Sequence, residues 1–206
     1  MKRHLISAII AVAAIFGAAS ASAEFRWGPT AGINITDLDF EQNLLTVDKS
    51  VGYGAGVTCE MMFPGIGFGI DFGLSYQQRG ATIDLGAKKL YRWMGYGRER
   101  SYLHYAVIPL HLRFKYTRLN GFEDYLAPFV YVGPSVGFLL AHNKIDCMNY
   151  HTAELSIEGG IGAEIMRRWH VSVNYSYGLS NAVSLKVLTD FNAVNTGWSV
   201  RVAYLF

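Results

Sequence analysis

The chain has 206 residues, which is the length of one domain. Its 18 basic and 16 acidic residues are nearly balanced, so the charge gives no sign of a nucleic-acid-binding protein. Aromatic residues are abundant, at 13 Tyr, 12 Phe and 4 Trp, and 22 Gly are spread through the sequence.

The first 23 residues have the pattern of a secretory signal peptide. Lys2 and Arg3 precede an apolar run over 5–19, and Ala21-Ser22-Ala23 places small residues where a signal peptidase cleaves. The run is short for a membrane-spanning helix, which makes an uncleaved anchor the weaker alternative. We therefore predict cleavage after Ala23. The exported domain, residues 24–206, then has 16 basic and 16 acidic residues and is formally neutral.

Beyond this segment the dominant pattern is two-residue alternation, repeated eight times. In 170–180, for example, Val171, Val173 and Tyr175 alternate with Ser172 and Asn174. Such alternation predicts strands that have one apolar face and one small or polar face. The predicted strands, in chain order, cover about 27–36, 51–62, 67–78, 103–116, 125–140, 153–165, 170–180 and 197–206.

Long and short connections alternate between these strands. The long loops are predicted at about 37–50, 79–102, 141–152 and 181–196. The short connections are predicted at 63–66, around 119–121, and at 166–169. This alternation is typical of outer-membrane barrels, which have long extracellular loops and short periplasmic turns.

The residue types on the two faces distinguish a membrane barrel from a soluble one. A soluble sheet exposes Lys, Glu and Thr and avoids Gly. Here the polar face is rich in Gly and Ser, as expected inside a narrow closed barrel, and the other face is apolar, as expected against lipid. Trp27, Trp93, Trp169 and Trp198 lie at or beyond predicted strand ends, where interfacial aromatics occur. We predict an all-β, eight-stranded, antiparallel up-and-down transmembrane β-barrel in a bacterial outer membrane.

Several short motifs match a known family. They are Phe25-Arg26-Trp27-Gly28, Gly133-Pro134-Ser135-Val136-Gly137, Gly159-Gly160-Ile161-Gly162-Ala163-Glu164 and Tyr175-Ser176-Tyr177-Gly178-Leu179-Ser180-Asn181. With them the exported domain resembles the PorT-like outer-membrane β-barrel family of Gram-negative bacteria along essentially its whole length. The resemblance implies a cell-envelope location, and the founding member suggests an accessory role in an envelope protein-secretion system. The C-terminal Tyr204-Leu205-Phe206 resembles the signal that barrel-assembly machinery reads.

Charged residues fall on the face predicted to lie inside the barrel. They are Glu60, Asp71, His111, Arg113, Lys115, Glu158, Glu164 and Arg201. One interpretation is a network of ion pairs that fills the interior, and the other is a proton or ion path. We favour the network, because side chains normally fill the interior of an eight-stranded barrel. A small pore is therefore a weaker alternative.

The sequence carries no pattern that predicts catalysis. Lipid A deacylases place a His two residues before a Ser-Asn pair at a strand end, and here Gly178 precedes Ser180-Asn181 at that spacing. The general base that would activate the serine is therefore missing. Cys59 and Cys147 form no metal motif, and we expect two unpaired thiols rather than a disulfide. We predict no catalytic residue, cofactor or metal.

The most distinctive predicted surface is the loop at 79–102. Its basic and aromatic residues include Lys88, Lys89, Arg92, Trp93, Arg98 and Arg100. Arg and Lys match lipopolysaccharide phosphates, so the loop is predicted to contact lipopolysaccharide or an envelope partner. The alternative is a solvated loop with interfacial anchors.

We expect a monomeric, non-enzymatic outer-membrane protein with a structural or interaction role. The sequence does not identify its partner.

Overall fold

The computed structural model describes residues 24–40, 46–65, 67–84, 98–116, 121–143, 148–180, 183–185 and 192–206. The predicted signal peptide lies outside these residues. The strands are β1 (Glu24–Phe40), β2 (Thr46–Met62), β3 (Phe68–Arg79), β4 (Ala81–Asp84), β5 (Arg98–Arg100), β6 (Leu103–Lys115), β7 (Leu126–His142), β8 (Met148–Tyr150), β9 (Ala153–Ile165), β10 (Trp169–Gly178), β11 (Val183–Leu185) and β12 (Asn192–Tyr204). A short 3-10 helix spans Phe122–Asp124. Within the described ranges, no helix has the length and hydropathy of a membrane span.

Eight long strands form a closed barrel. Their order around it is β1, β2, β3, β6, β7, β9, β10 and β12, and each pairs antiparallel with its neighbours. Pairing of β1 with β12, from Thr30↔Ala203 to Phe40↔Ala193, closes the ring. Closure satisfies the backbone groups that an open edge would leave unpaired in hydrocarbon. The predicted fold class is confirmed.

The two faces of the strands have opposite environments. On β10, Val171, Val173 and Tyr175 are exposed on the outside of the barrel, whereas Ser172 and Asn174 are buried inside. A soluble barrel would bury the apolar side chains instead. The outer face therefore suits lipid, which is the orientation that the residue types predict.

Aromatic side chains gather at the end of the barrel that carries the short turns. The rings of Trp27 and Phe206 lie 5.5 Å apart, and those of Trp169 and Tyr204 lie 5.0 Å apart. Both chain ends of the described domain also lie here, since Glu24 begins β1 and Phe206 follows β12. Such a ring of aromatics marks a membrane interface, which we take as the periplasmic one.

A second group of aromatics lies farther along the strands. Tyr175 packs on Trp198 at 5.1 Å, and Tyr53 packs on Tyr76 at 6.1 Å. Tyr177 on β10 is about 20 Å above the periplasmic ring, if each residue rises about 3.3 Å on a strand tilted by about 40°. Trp198 lies within β12 rather than at a strand end, so its predicted position is wrong by about six residues. Trp93 lies outside the described residues.

The predicted loops at the opposite, extracellular end are too long. β1 continues to Phe40 and β2 begins at Thr46, inside the loop predicted at 37–50. The loop at 79–102 contains β4 and β5, and those at 141–152 and 181–196 contain β8 and β11. The strands continue beyond the apolar belt, where polar residues such as Asp37 and Lys49 occupy outward positions and interrupt the alternation. Strands are therefore paired beyond the residues in which apolar and polar side chains alternate.

Two inward-facing glycines on β9 make room for large rings on β7. Gly160 pairs with Tyr131 and Gly162 with Phe129. A Cβ added at Gly160 would lie 2.6 Å from Tyr131 Cζ, and one at Gly162 would lie 2.5 Å from Phe129 Cζ. This explains why β7 has bulky residues on a face that is otherwise small and polar.

Cys59 is a free thiol on β2, and Cys147 lies outside the described residues.

We expect Gly160→Ala to destabilise the barrel by about 1–3 kcal/mol, because the new methyl group overlaps Tyr131 and Asn174. Gly159→Ala is the matched control, since a Cβ there meets no atom closer than 3.8 Å. Urea-dependent folding, followed by the shift of the folded band on unheated gels, measures both. Equal stability of the two variants would contradict this packing.

Candidate functional site

A cluster of charges occupies the periplasmic half of the barrel interior. We define this periplasmic cluster as Arg26, Glu60, Asp71, Arg113, Lys115, Glu164 and His170. Lys115 Nζ on β6 lies 2.7 Å from Glu60 Oε1 on β2 and 2.7 Å from Glu164 Oε2 on β9. One ammonium group thus joins strands that lie on different sides of the barrel.

Arg26 adds a second cation to the same two carboxylates. Its Nη2 atom lies 2.8 Å from Glu60 Oε2 and 2.6 Å from Glu164 Oε2. The Arg26 side chain is 12% exposed, and Nη1 also donates to the carbonyl of Arg167 at 2.7 Å. Arg26 therefore closes the cluster on its periplasmic side.

Arg113 connects this pair of carboxylates to Asp71. Its Nη2 atom lies 2.6 Å from Asp71 Oδ2, and its guanidinium carbon lies 4.0 Å from the centre of the Phe129 ring. Arg113 Nη1 also donates to His170 Nδ1 at 3.0 Å. Since arginine can only donate, His170 Nδ1 accepts, and His170 Nε2–H donates to Glu164 Oε2 at 2.7 Å.

Three members of the cluster have the spacing of metal ligands. The available atoms of Glu60, Glu164 and His170 lie within 4.8 Å of one another. However, Lys115 and Arg26 contact the carboxylate oxygens, and both nitrogens of His170 take part in hydrogen bonds. Ammonium and guanidinium groups thus contact the atoms that a metal ion would need. The donor set fits ion pairing better than metal binding.

A second set of polar contacts lies nearer the extracellular end. We define this outer cluster as Gln77, Arg79, Tyr105, Glu154, Glu158, Asn195 and Arg201. Arg79 on β3 reaches β9, where Nη1 lies 3.0 Å from Glu154 Oε1 and Nη2 lies 3.5 Å from Glu158 Oε1. Asn195 Nδ2 on β12 donates to Glu154 Oε2 at 2.6 Å. These contacts span the barrel interior.

Glu158 contacts several groups in and around the outer cluster. Arg201 Nη2 lies 3.1 Å from its Oε2 atom, and Ser135 Oγ donates to its Oε1 atom at 3.0 Å. His111 Nε2 lies 3.6 Å from Oε2. The Glu158 carboxylate is fully buried, so these partners are needed to offset its desolvation.

A small cavity of about 70 Å³ separates the two clusters. Asp71, His111 and Arg113 line one part of it, and Gln77 and Arg201 line another. Neither Asp71 Oδ1 nor His111 Nε2 has a hydrogen-bond partner in the described part of the chain. A polar cavity of this size has room for a few water molecules. Among the residues that the structure describes, the ion pairs on both sides of it leave an interior filled by side chains rather than an open channel.

The structure brings the predicted interior charges together in these two clusters. Glu60, Asp71, Arg113, Lys115 and Glu164 lie in the periplasmic cluster, and Glu158 and Arg201 lie in the outer one. Sequence reasoning missed Arg26, Arg79 and Glu154, which lie at or just beyond the ends of predicted strands. Arg26 and Arg79 lie one residue outside the predicted strands, and Glu154 is the second residue of one. Following the alternation to the strand ends would have found all three, because each occupies an inward-facing position.

The predicted contact loop is only partly described. Lys88, Lys89, Arg92 and Trp93 lie outside the described residues, and Arg98 is described by its backbone in β5 alone. Arg100 binds the rim of the barrel, where Nε donates to Ser50 Oγ at 2.8 Å and Nη2 donates to the carbonyl of Val51 at 2.6 Å. Its guanidinium group also stacks 4.7 Å from the centre of the Tyr102 ring. These contacts hold the loop to the barrel at Arg100.

The closed barrel, its lipid-facing wall and its aromatic rings define a small outer-membrane β-barrel protein. The chain belongs to the outer membrane protein beta-barrel domain family, which matches residues 18–184. No curated protein sequence matches the chain.

Solved structures of small outer-membrane proteins are similar to this fold. OprG from Pseudomonas aeruginosa is 11% identical, with 90% of this chain and 97% of OprG covered, at a TM-score of 0.53. Ail of Yersinia pestis, solved with the heparin analogue sucrose octasulfate, is 13% identical over 89% of this chain and 99% of Ail, at a TM-score of 0.47. The outer membrane enzyme PagL is 11% identical over 84% of this chain and 97% of PagL, at 0.45. At these identities the likeness concerns the fold alone.

We expect Glu60→Gln to lower the free energy of unfolding by about 3–5 kcal/mol, since Lys115, Arg26 and Arg113 lose a buried partner. Adding Lys115→Met to Glu60→Gln removes one unpaired cation and should recover part of the loss. Urea unfolding of both variants and of Lys115→Met alone completes a double-mutant cycle. Additive effects would contradict direct coupling of Glu60 and Lys115.

Proposed function

We propose that this protein is a plugged, non-enzymatic outer-membrane barrel that acts through its extracellular loops, in contact with lipopolysaccharide or an envelope partner. The observation that carries the proposal is the interior, where two clusters of ion pairs span the lumen. With the interior filled and the wall facing lipid, the loop end is the surface left for recognition. The protein is proposed to be a monomer.

The basic loop provides the chemistry for an anionic partner. Lys88, Lys89, Arg92 and Arg98 lie between β4 and the end of β5, and Trp93 lies among them. Phosphates of lipopolysaccharide lie at the outer leaflet, level with this end of the barrel, and Arg and Lys bind phosphate well. Arg100 differs from the others because its guanidinium group already binds Ser50 and Val51. We assign Arg100 to anchoring the loop and the other four cations to the partner.

The residues around Ser180 offer little support for hydrolysis of lipid. Ser180 Oγ accepts a hydrogen bond from the Leu155 N–H at 2.8 Å. The inward-facing Gly178 occupies the position where lipid A deacylases carry a His, so no imidazole precedes Ser180 at that spacing. This absence of a general base supports a non-enzymatic role.

A second candidate is an accessory role in envelope protein secretion. It rests on the resemblance of motifs such as Gly133-Pro134-Ser135-Val136-Gly137 to the PorT-like family. Crosslinking in cells would distinguish the two, because only a secretion accessory should crosslink to a component of a protein-secretion apparatus. The C-terminal Phe206, which is 66% exposed, is the proposed contact with barrel-assembly machinery.

We expect the combined variant Lys88→Gln, Lys89→Gln, Arg92→Gln and Arg98→Gln to lower lipopolysaccharide co-purification about tenfold or more, since charge-assisted hydrogen bonds each contribute about 1.5–3 kcal/mol. Arg167→Gln with Arg168→Gln is the control, because these residues lie at the periplasmic end. Quantifying lipopolysaccharide per barrel after detergent purification gives the readout. Equal retention by the loop variant and the control would reject the lipopolysaccharide contact.

A further inference from the structure

Two polar side chains lie next to each other on the outer wall of the barrel. Gln78 on β3 pairs with His104 on β6, and both side chains are on the face that points away from the lumen. Farther down the same face, Leu74 on β3 and Ile108 on β6 are apolar and exposed. An amide and an imidazole on such a wall are costly unless polar groups from outside meet them.

Gln78 and His104 are level with the headgroups of the outer leaflet. Tyr116 directly follows β6 at its periplasmic end. His104 is about 30 Å above Tyr116, if each residue rises about 3.3 Å on a strand tilted by about 40°. The apolar band of such barrels is about 25 Å tall, so the two polar side chains lie just above it. In a Gram-negative outer membrane, the molecule at this level is lipopolysaccharide.

Tyr76 fixes the orientation of His104. Its hydroxyl oxygen lies 2.6 Å from His104 Nδ1, and the two rings stack with their centres 5.8 Å apart. Nδ1 is therefore engaged, and Nε2 is the ring nitrogen left for a ligand. Neither Nε2 nor the Gln78 side-chain amide has a hydrogen-bond partner among the residues that the structure describes.

Aromatic rings and short side chains lie beside these two polar groups. Tyr53 packs on Tyr76 with ring centres 6.1 Å apart, and it is 57% exposed. Tyr76 itself pairs with Ala55 on β2 and with Ala106 on β6. Because alanine side chains are short, the wall is recessed on both sides of the Tyr76 ring. The result is an aromatic surface with hydrogen-bonding groups above it and apolar residues below it.

This combination fits a sugar that carries acyl chains. The C–H faces of a pyranose ring pack on aromatic side chains, whose bodies are apolar. Sugar hydroxyl and amide groups can exchange hydrogen bonds with a glutamine amide, which has both donors and an acceptor, and with an imidazole nitrogen. The apolar residues below, such as Val57 and Leu74, can contact hydrocarbon. A phospholipid without a sugar would leave the amide and the imidazole with fewer partners.

We propose that the wall patch formed by Tyr53, Tyr76, Gln78 and His104 binds the acylated sugar headgroup of lipopolysaccharide. One sugar ring packs on the two tyrosines and forms hydrogen bonds with Gln78 and His104, and an acyl chain runs down the wall past Ala55 or Ala106. This inference rests on the proposed contact with lipopolysaccharide and names the part of that molecule that the wall recognises. It does not depend on the basic loop, to which we assign the phosphates.

Native mass spectrometry of the exported domain in detergent, titrated separately with lipid A and with phosphatidylglycerol, tests the wall patch. Gln78→Leu with His104→Leu should lower lipid A occupancy about tenfold, since two hydrogen bonds to the sugar are lost. Binding of phosphatidylglycerol, which has no sugar ring, should not change. Tyr177→Leu is the matched control, because it removes a hydroxyl from the outer face of β10, on the opposite side of the barrel.

Equal lipid A occupancy in the double variant and in Tyr177→Leu would overturn the proposal. An equal loss of phosphatidylglycerol would also overturn it, because the patch would then not recognise a sugar. Tyr76→Phe removes only the hydroxyl that orients His104 and should lower lipid A occupancy about threefold. It decides the outcome if the double variant fails to fold, and unchanged occupancy would then reject the wall patch.

The loop variant that replaces Lys88, Lys89, Arg92 and Arg98 separates this inference from the proposed function. If that variant keeps lipopolysaccharide while Gln78→Leu with His104→Leu loses lipid A, the loop contact fails and the wall contact stands. If only the loop variant loses lipopolysaccharide, the wall contact fails and the loop contact stands.

Discussion

Ion pairs across the lumen hold the strands of this barrel in register, and their cations are Lys115, Arg26 and Arg79. A charge placed inside a narrow barrel loses most of its water, and only well-placed partners offset that loss. The carboxylates of Glu60, Glu158 and Glu164 each contact at least two cations. The interior is therefore held in one arrangement, because moving any single strand would leave several charges without partners.

The small residues of the inner face follow from the same constraint. Long arginine and lysine side chains need space to reach across the lumen, and glycine supplies it on the facing strands. Gly160 and Gly162 also admit the rings of Tyr131 and Phe129, and Phe129 in turn supports the Arg113 guanidinium. Packing and electrostatics thus reinforce each other, and together they fill the part of the lumen that the structure describes.

Much of this architecture could be predicted from alternation alone. The contrast between Val171 and Ser172 was enough to assign outer and inner faces, and the order of long and short connections was enough to assign the two ends. Arg26, Arg79 and Glu154 were missed because they lie where strands leave the apolar belt and the alternating signal fades. The pairing of individual charges depends on strand register and on which strands face each other, and a single sequence contains neither directly.

The lipid-facing wall shows a different limit of sequence reasoning. Pro128 and Ala163 are far apart in the chain, and neither is unusual in a membrane strand. Only the register of β7 on β9 places them together, and only the backbone angles of Met166 and Arg167 show that the adjoining turn is strained. The local shape of the apolar wall therefore depends on strand register, which composition alone does not show.

Single-channel recording in planar bilayers measures whether charge pairing closes the lumen. We expect no stable current from the intact barrel. We also expect Arg79→Ala with Glu154→Ala, which removes the contacts between β3 and β9, to raise ion permeation above that of the intact barrel. A large, stable current from the intact barrel, unchanged in this double variant, would show that these ion pairs do not close the lumen.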